Sequence, residues 1–375
     1  MSYSKSNLAL GVLCAALAVP TFLQLRSESE TFVDVARIPL MFDGFTADNV
    51  GSIVLGEPQD EQPEPPPGQQ QNQPAKVVYD QLALKLTDQG WVVSAPPRTV
   101  VELAGAPVQK SLVERDVFEH LRSIRNDPDT LVQPDATAEQ LAEYGLDEQH
   151  AFVLRCLDRA GTTVVADLLV GKDASQWGQG SEAVRGVFVR QRDSNDVVLY
   201  EWRQPWRRSV EARDWLDKLL FRLEPDKLRR LSIRNGSTGS RTFTFERGRN
   251  ESRWQAKDCD DLGALRQGEV EGVVQRLRYV AAQSFERPLT RAGNMQALGL
   301  FPPKMELRLA VQDGSELREI TIEVGDRVPE RNEHYVTYSD SEPSAASQFL
   351  LTWSAGMVTQ FDLDIAQRLF DPKPK

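Results

Sequence analysis

The sequence predicts an α+β protein of two tandem repeats, each a mostly antiparallel sheet with helices packed on one side, after a single N-terminal transmembrane helix. Three observations carry this expectation. Tyr144-Gly145-Leu146 is followed by two apolar runs ending at Val170-Gly171, and Leu298-Gly299-Leu300 by two ending at Val324-Gly325, so that 26 positions separate the glycines of each block. Upstream of each block stand a tryptophan strand and a helix, Gly90-Trp91 with Leu121-Arg122 and Arg253-Trp254 with Leu277-Arg278. Downstream, Tyr200-Glu201-Trp202 answers Leu351-Thr352-Trp353. Similarity repeated at this scale marks a folding unit used twice.

A chain of 375 residues exceeds what one core normally supports, which also argues for two domains. The division falls into a membrane anchor or signal peptide at 1–26, a first repeat at 27–225 and a second at 226–375. Leu8 to Leu25 carries no charge over 18 residues, and at about 1.5 Å per residue that just spans a hydrocarbon core of about 30 Å. Lys5 precedes it and Arg26, Glu28 and Glu30 follow, an asymmetry that favours a cytoplasmic N-terminus and a translocated body. Ala16-Leu17-Ala18 offers the alternative of a cleavage site. Both readings put the body outside the cytoplasm, the first on the periplasmic side of an inner membrane that residues 8–25 cross once.

Each repeat opens with a strand, at 50–55 and 228–233. In the second, Asn235-Gly236 turns the chain back to 242–246; in the first, the Pro/Gln-rich insertion at 57–75 replaces that turn and reads as an extended, exposed loop with too few apolar groups to offset its ordering entropy. Alternation at 77–86 and 91–93 continues the first sheet, with Trp91 and Trp254 as core plugs. Ser111 and Glu114 have capping-box spacing ahead of Val113, Val117, Leu121 and Ile124, an amphipathic helix whose partner lies at 270–282. Short helices follow, from Thr137 to Gly145 and from Thr290 to Gly299, each glycine supplying the left-handed residue that stops a helix. Hairpins are expected at 151–158 with 162–170, ending at Gly171, and at 304–311 with 320–324, ending at Gly325. Two short strands come next in each copy, at 187–191 and 197–200 and at 335–338 and 348–351, and closing helices at 210–221 and 364–370.

The order Leu141-Ala142-Glu143-Tyr144-Gly145-Leu146-Asp147, Leu169-Val170-Gly171, Val187-Phe188-Val189 and Val198-Leu199-Tyr200, with the apolar N-terminus and Gly90-Trp91, resembles the bacterial family known as domain of unknown function 4340 (DUF4340). The resemblance is clearest over 77–223 and fades in the second copy, where Phe301 stands in place of Asp147. It implies a membrane-anchored protein associated with export-type ABC transport systems, and it supplies no catalytic residues.

Chemistry is sparse. A net charge of −11 argues against a nucleic-acid partner, whose phosphates call for a basic face. His120, His150 and His334 have no ligand spacing, the translocated body has no serine elbow, and Gly171-Lys172 lacks the glycine-rich loop of a phosphate cradle. No catalytic, cofactor or metal residue is therefore assigned. Asp258-Cys259-Asp260-Asp261 lacks the spacing of a calcium loop and reads as solvated. Cys156 reads as a small buried hydrophobe and Cys259 as a surface thiol. The best candidate for a binding patch is Trp202, Arg203, Trp206, Arg207 and Arg208, whose interleaved aromatic and basic groups suit lipid headgroups, glycan or an acidic partner; the competing reading packs the tryptophans inward. The expected function is that of a membrane-anchored extracytoplasmic binding or scaffold protein, accessory to an ABC-type transport or envelope assembly and working through protein partners. The alternatives are an envelope hydrolase using Glu143 and Asp147 in a groove between the repeats, and a secreted soluble binding protein.

Overall fold

The computed structural model describes residues 38–59, 77–94, 101–174, 185–202, 205–239, 241–249, 251–342 and 344–373. The apolar segment 8–25, nearly all of the 57–75 insertion and Arg203 lie outside the described residues. Among the described residues, no helix is long and apolar enough to cross a membrane.

The architecture is β-dominated rather than α+β. The first sheet is built from β1 (Val50–Pro58), β2 (Tyr79–Thr87), β3 (Gly90–Ser94), β4 (Leu131–Gln133), β5 (Phe152–Asp158), β6 (Val164–Asp173), β7 (Gly186–Gln191) and β8 (Val197–Glu201). Its spatial order is β3-β2-β1-β5-β6-β7-β8-β4. After β9 (Leu219–Arg222), the second sheet uses β10 (Leu228–Arg234), β11 (Phe243–Glu246), β12 (Gln255–Lys257), β14 (Ser284–Pro288), β15 (Met305–Asp313), β16 (Glu316–Arg327), β17 (Glu333–Asp340) and β18 (Phe349–Ser354). The order there is β12-β11-β10-β15-β16-β17-β18-β14, and β9 pairs with β13 (Tyr279–Ala281) as a separate ribbon.

The helices are too few and short to form a layer on either sheet, which overturns the expected α+β class. One helix, α1, runs through three consecutive segments, Lys110–Val113, Glu114–Phe118 and Glu119–Ser123, the middle one a π turn. The others are α2 (Ala138–Glu143), α3 (Gln267–Arg276), α4 (Ala355–Thr359) and α5 (Ile365–Leu369). The helix expected at 210–221 is instead a 3-10 turn followed by β9, because a short apolar run such as Leu219, Leu220 and Phe221 fits a strand as well as a helix; Leu220 and Phe221 are buried there and Leu219 is exposed. The helix expected at 290–298 is a 3-10 turn, Leu289–Arg291, cut off where Gly293 takes φ +77°.

Register shows how closely the sheets correspond. The β1–β5 ladder shifts between Val50 and Ser52 and the β10–β15 ladder between Leu228 and Arg230. The β6–β7 ladder shifts between Val170 and Asp173, as β16–β17 does between Val324 and Arg327. Val92 faces Lys85 as Gln255 faces Glu246, which places Trp91 and Trp254 at equivalent positions. Both are buried, Trp91 with its ring 6.0 Å from Phe118 of α1, Trp254 donating Nε1 to Glu271 of α3 at 2.8 Å. The same logic pairs Tyr200, opposite Val187, with Trp353, opposite His334; Trp202 and Trp353 are therefore not counterparts.

The recurring spacing of 26 has a mechanical cause. Gly145 and Gly299 take φ +68° and +65°, turning the chain so that the preceding carbonyl, Tyr144 or Leu298, meets the β6 or β16 backbone. Lys172 N donates to Tyr144 O at 2.9 Å and Asp326 N to Leu298 O at 2.7 Å. The carbonyls come so close that a Cβ on Gly171 or Gly325 would stand 2.3 or 2.2 Å from them. One glycine bends the chain and the other admits it.

One apolar cluster draws residues from both halves, and smaller separate clusters surround Leu146 and Leu169 in the first half and Leu300 and Leu350 in the second. Trp215, fully buried, passes its carbonyl to Gln109 N, and Phe221 of β9 stacks on Tyr338 of β17 at 6.1 Å. Cys156 and Cys259 are free and both buried, which corrects the reading of Cys259 as a surface thiol.

Candidate functional site

Of the proposed aromatic-basic patch, Trp206 turns inward, Trp202 and Arg208 are half-buried, and Arg207 stays exposed. Trp206 is 7 % exposed and stacks on His120 at 4.4 Å, while its Nε1 donates to the Asp116 carbonyl at 2.7 Å. Trp202 is half-buried against the core. Arg207 leans on Asp116 at 3.5 Å, and Arg208 donates to Gly171 O and Asp173 Oδ1 at 2.9 and 2.7 Å. Trp206, Arg207 and Arg208 thus hold β6 and α1 together, and their surroundings are acids of this same chain. The acidic pair fares no better as a site: Asp147 Oδ1 lies 2.6 Å from His150 Nδ1, while Glu143 accepts Lys172 Nζ through its backbone carbonyl. In the Asp258–Asp261 loop, Arg241 forks onto Asp261 with two bonds of 2.7 Å, filling with a cation the place a metal would need. No group of three or more potential metal ligands occurs among the described residues. His334 lies half-buried with Nδ1 3.3 Å from Gly325 O.

What the structure does bring together is a groove of about 520 Å³ between α1, the turn before β4, and β8. Its base is a hydrogen-bonded chain of three side chains. His120 Nδ1 lies 2.9 Å from the Tyr200 hydroxyl, and Ser123 Oγ lies 2.8 Å from the same hydroxyl. Arg115, Glu119, Arg125 and Glu201 stand around it, charges of both signs. Arg115 grips the buried Asp116 carboxylate with two bonds of 2.8 and 2.7 Å.

The π turn creates this arrangement. Buried residues recur as Val113 and Leu121 on α1 and as Val270, in the first half of α3, and Leu277, its C-cap, and the first interval is eight positions against seven in the second. The extra residue is absorbed as the Glu114–Phe118 turn, leaving the Asp116 carbonyl to accept the Trp206 indole. Insertions of this kind occur frequently at functional sites. A π turn has no sequence signature, which is why the histidine, tyrosine and serine did not stand out before the fold was known.

Chemically the groove recognises more than it reacts. Burial pushes the His120 imidazole down to about 4, with Asp116 opposing and Arg115 assisting, so it is neutral at physiological pH. Burial raises the Tyr200 phenol, which stays protonated. Ser123 Oγ donates to the Glu119 carbonyl at 2.6 Å, a bond back to its own helix that leaves its proton with the backbone rather than with a general base.

The second copy closes the corresponding place. There β14 runs along β18, with Gln283 N donating to Thr352 O at 2.7 Å and Ser284 Oγ 2.8 Å from Thr352 Oγ1. In the first copy β4 pairs only with Val197 and Val198, and the chain before it turns off through the 3-10 segment Pro128–Thr130.

Comparison with known proteins places this fold in a family without assigning it a role. The model of the family described as "Domain of unknown function (DUF4340)" matches residues 99–300, from just after β3 to the turn before β15. The match thus straddles both sheets and begins beyond Gly90-Trp91, rather than centring on 77–223. Neither the curated proteins nor the solved structures contain a match to the chain. With more than half of its length matched by that model, the chain belongs to the DUF4340 family.

Proposed function

We propose that this protein is a binding or scaffold component, held at a membrane by residues 8–25 with its body outside the cytoplasm, and that the α1–β8 groove receives a partner belonging to a transport or envelope assembly. The observation that carries the reading is the groove itself: hydrogen-bonding groups and charges of both signs surround a neutral His–Tyr–Ser chain in which none is set up as a nucleophile. Mixed, paired charge around a partly apolar floor suits recognition of a protein surface. The position of the groove favours the same reading. Arg125 on its rim donates to the carbonyl of Ile38 at 3.0 Å, so the chain arriving from the apolar segment enters the body beside it.

The test is purification of the full-length chain in mild detergent, as wild type and as the rim variants Glu119→Arg and Glu201→Arg. Proteins retained by the wild type and lost from both variants support the reading. Identical sets for all three, or a hydrolytic activity that the variants abolish, would count against it.

A further inference from the structure

A second concavity, of about 340 Å³, lies on the other copy where β10, β11 and β12 meet the β15–β16 hairpin. Its charged lining is Arg229, Arg230, Arg247 and Lys257 against Glu246 and Glu251. In a chain of net charge −11 this concentration of cations runs against the whole.

Internal duplication supplies a control that few proteins carry. The β1–β2 and β10–β11 registers make Gly51, Ser52, Leu86 and Ser94 the counterparts of Arg229, Arg230, Arg247 and Lys257. The first copy therefore folds the same bulge and the same three strands with none of these cations. At the bulge the contrast is greatest, because a Cβ on Gly51 would stand 2.5 Å from the Arg159 backbone, whereas Arg229 carries a full guanidinium there. The fold does not require the charges.

Nor do they neutralise one another's partners. Glu246 is shared by Arg230 at 3.1 Å and Lys257 at 3.6 Å, one carboxylate between two cations. Glu251 bonds to Gly248 N. Arg229 donates Nη1 to the carbonyls of Asp226 and Leu228, neutral acceptors, and its Nε–H is buried with no partner among the described residues. Among the described residues no carboxylate is paired with the Arg229 guanidinium. Arg247, 8 % exposed and stacked over Trp254 at 4.6 Å, is paired with Glu271 at 3.3 Å and donates Nε to Leu228 O at 2.8 Å, so it forms a fixed wall and the excess charge rests on Arg229, Arg230 and Lys257.

We infer that this concavity is an anion site for a phosphate-bearing ligand. Excess positive charge complements a dianion, and guanidinium forks match phosphate oxygens bidentately. Free phosphate and a phospholipid headgroup share that chemistry. The full-length chain is titrated calorimetrically with inorganic phosphate, and its flotation with vesicles of phosphatidylglycerol is compared with flotation with phosphatidylcholine vesicles. The same is done for the double variant R229G/R230S, which installs the first copy's own residues, and separately for K257S; circular dichroism reports their folding.

Phosphate binding that falls about tenfold or more in the double variant and measurably in K257S supports a small-anion site. Selective flotation lost in the same variants, without binding of free phosphate, supports the headgroup. Absence of both in the wild type, or binding unchanged by R229G/R230S and K257S, overturns the site. A double variant that fails to fold leaves K257S to decide, its equivalent position in the first copy already being serine.

Discussion

Alanine at Gly171 or Gly325 should injure the fold severely, by an amount the geometry fixes. A Cβ at Gly171 would sit 2.3 Å from Tyr144 O and 3.0 Å from Leu146 Cγ; at Gly325 the distances are 2.2 Å to Leu298 O and 2.9 Å to Leu300 Cγ. Real Cβ atoms essentially never approach closer than 3.0 Å, so the carbonyl must retreat by about 0.7 Å. That displacement stretches the Lys172 N to Tyr144 O bond from 2.9 Å beyond hydrogen-bonding range. The lost bond costs about 1 kcal/mol, and the strain of forcing a methyl group into a packed contact adds about 1–3 kcal/mol. Each substitution should therefore destabilise the protein by about 2–4 kcal/mol, similarly in both copies. Urea unfolding followed by tryptophan fluorescence measures it. Gly272→Ala is the control, since it lies inside α3 with nothing within 4 Å of its missing Cβ, and there alanine should stabilise by up to about 1 kcal/mol. If Gly171→Ala and Gly325→Ala unfold at the same urea concentration as wild type, the docking of the turn onto the strand is not what the spacing of 26 encodes.

Three further outcomes follow from the site and the topology. Trp206→Phe keeps the stack on His120 but removes the donor to Asp116 O, and should cost about 1 kcal/mol in the same assay for the lost buried hydrogen bond; a cost no greater than for Trp202→Phe would show that the π turn does not depend on that bond. His120, at about 4 when folded and about 6.5 when unfolded, takes up its proton more readily in the unfolded chain. Its neutral burial thus favours folding fully above about pH 6.5, and that contribution is lost as pH falls towards 4. Solvent in the groove reduces the effect to about 1–2 kcal/mol, which His120→Gln should remove from the pH profile of the melting temperature; parallel profiles would contradict it. Alkaline phosphatase fused after Lys375 should be active if residues 8–25 anchor the chain with its body outside, whereas an inactive phosphatase beside an active cytoplasmic reporter would reverse the orientation.

Local chemistry was legible where one residue type is obligatory. The stop at Gly145 past α2 is an example, since few residues take positive φ cheaply; the capping-box spacing of Ser111 and Glu114, by contrast, falls inside α1, whose N-cap is Gln109 with no side-chain cap. Strands were legible by alternation, hence the hairpins β5–β6 and β15–β16. The fold class is not legible because short apolar runs fit a helix or a strand equally: 219–221 pairs in a ribbon with β13, and Gly293 ends a segment whose apolar residues look periodic. The intramolecular partners of the patch around Trp202 are hidden for a different reason. Composition shows that aromatic and basic groups alternate, but not that Asp116 and Asp173 come from distant segments to meet the arginines. The groove was invisible because His120, Ser123 and Tyr200 meet only through the π turn and a strand nearly eighty residues away.

Site-specific photocrosslinking in cells addresses the groove most directly. A benzophenone amino acid placed at Thr130 or Glu201, on the rim of the α1–β8 groove, is compared with one at Phe301, which is 75 % exposed and lines neither concavity. A discrete adduct of the same partner is expected from both rim positions and none from Phe301. Adducts absent from both rim positions, or formed equally at Phe301, would contradict a groove that serves to bind.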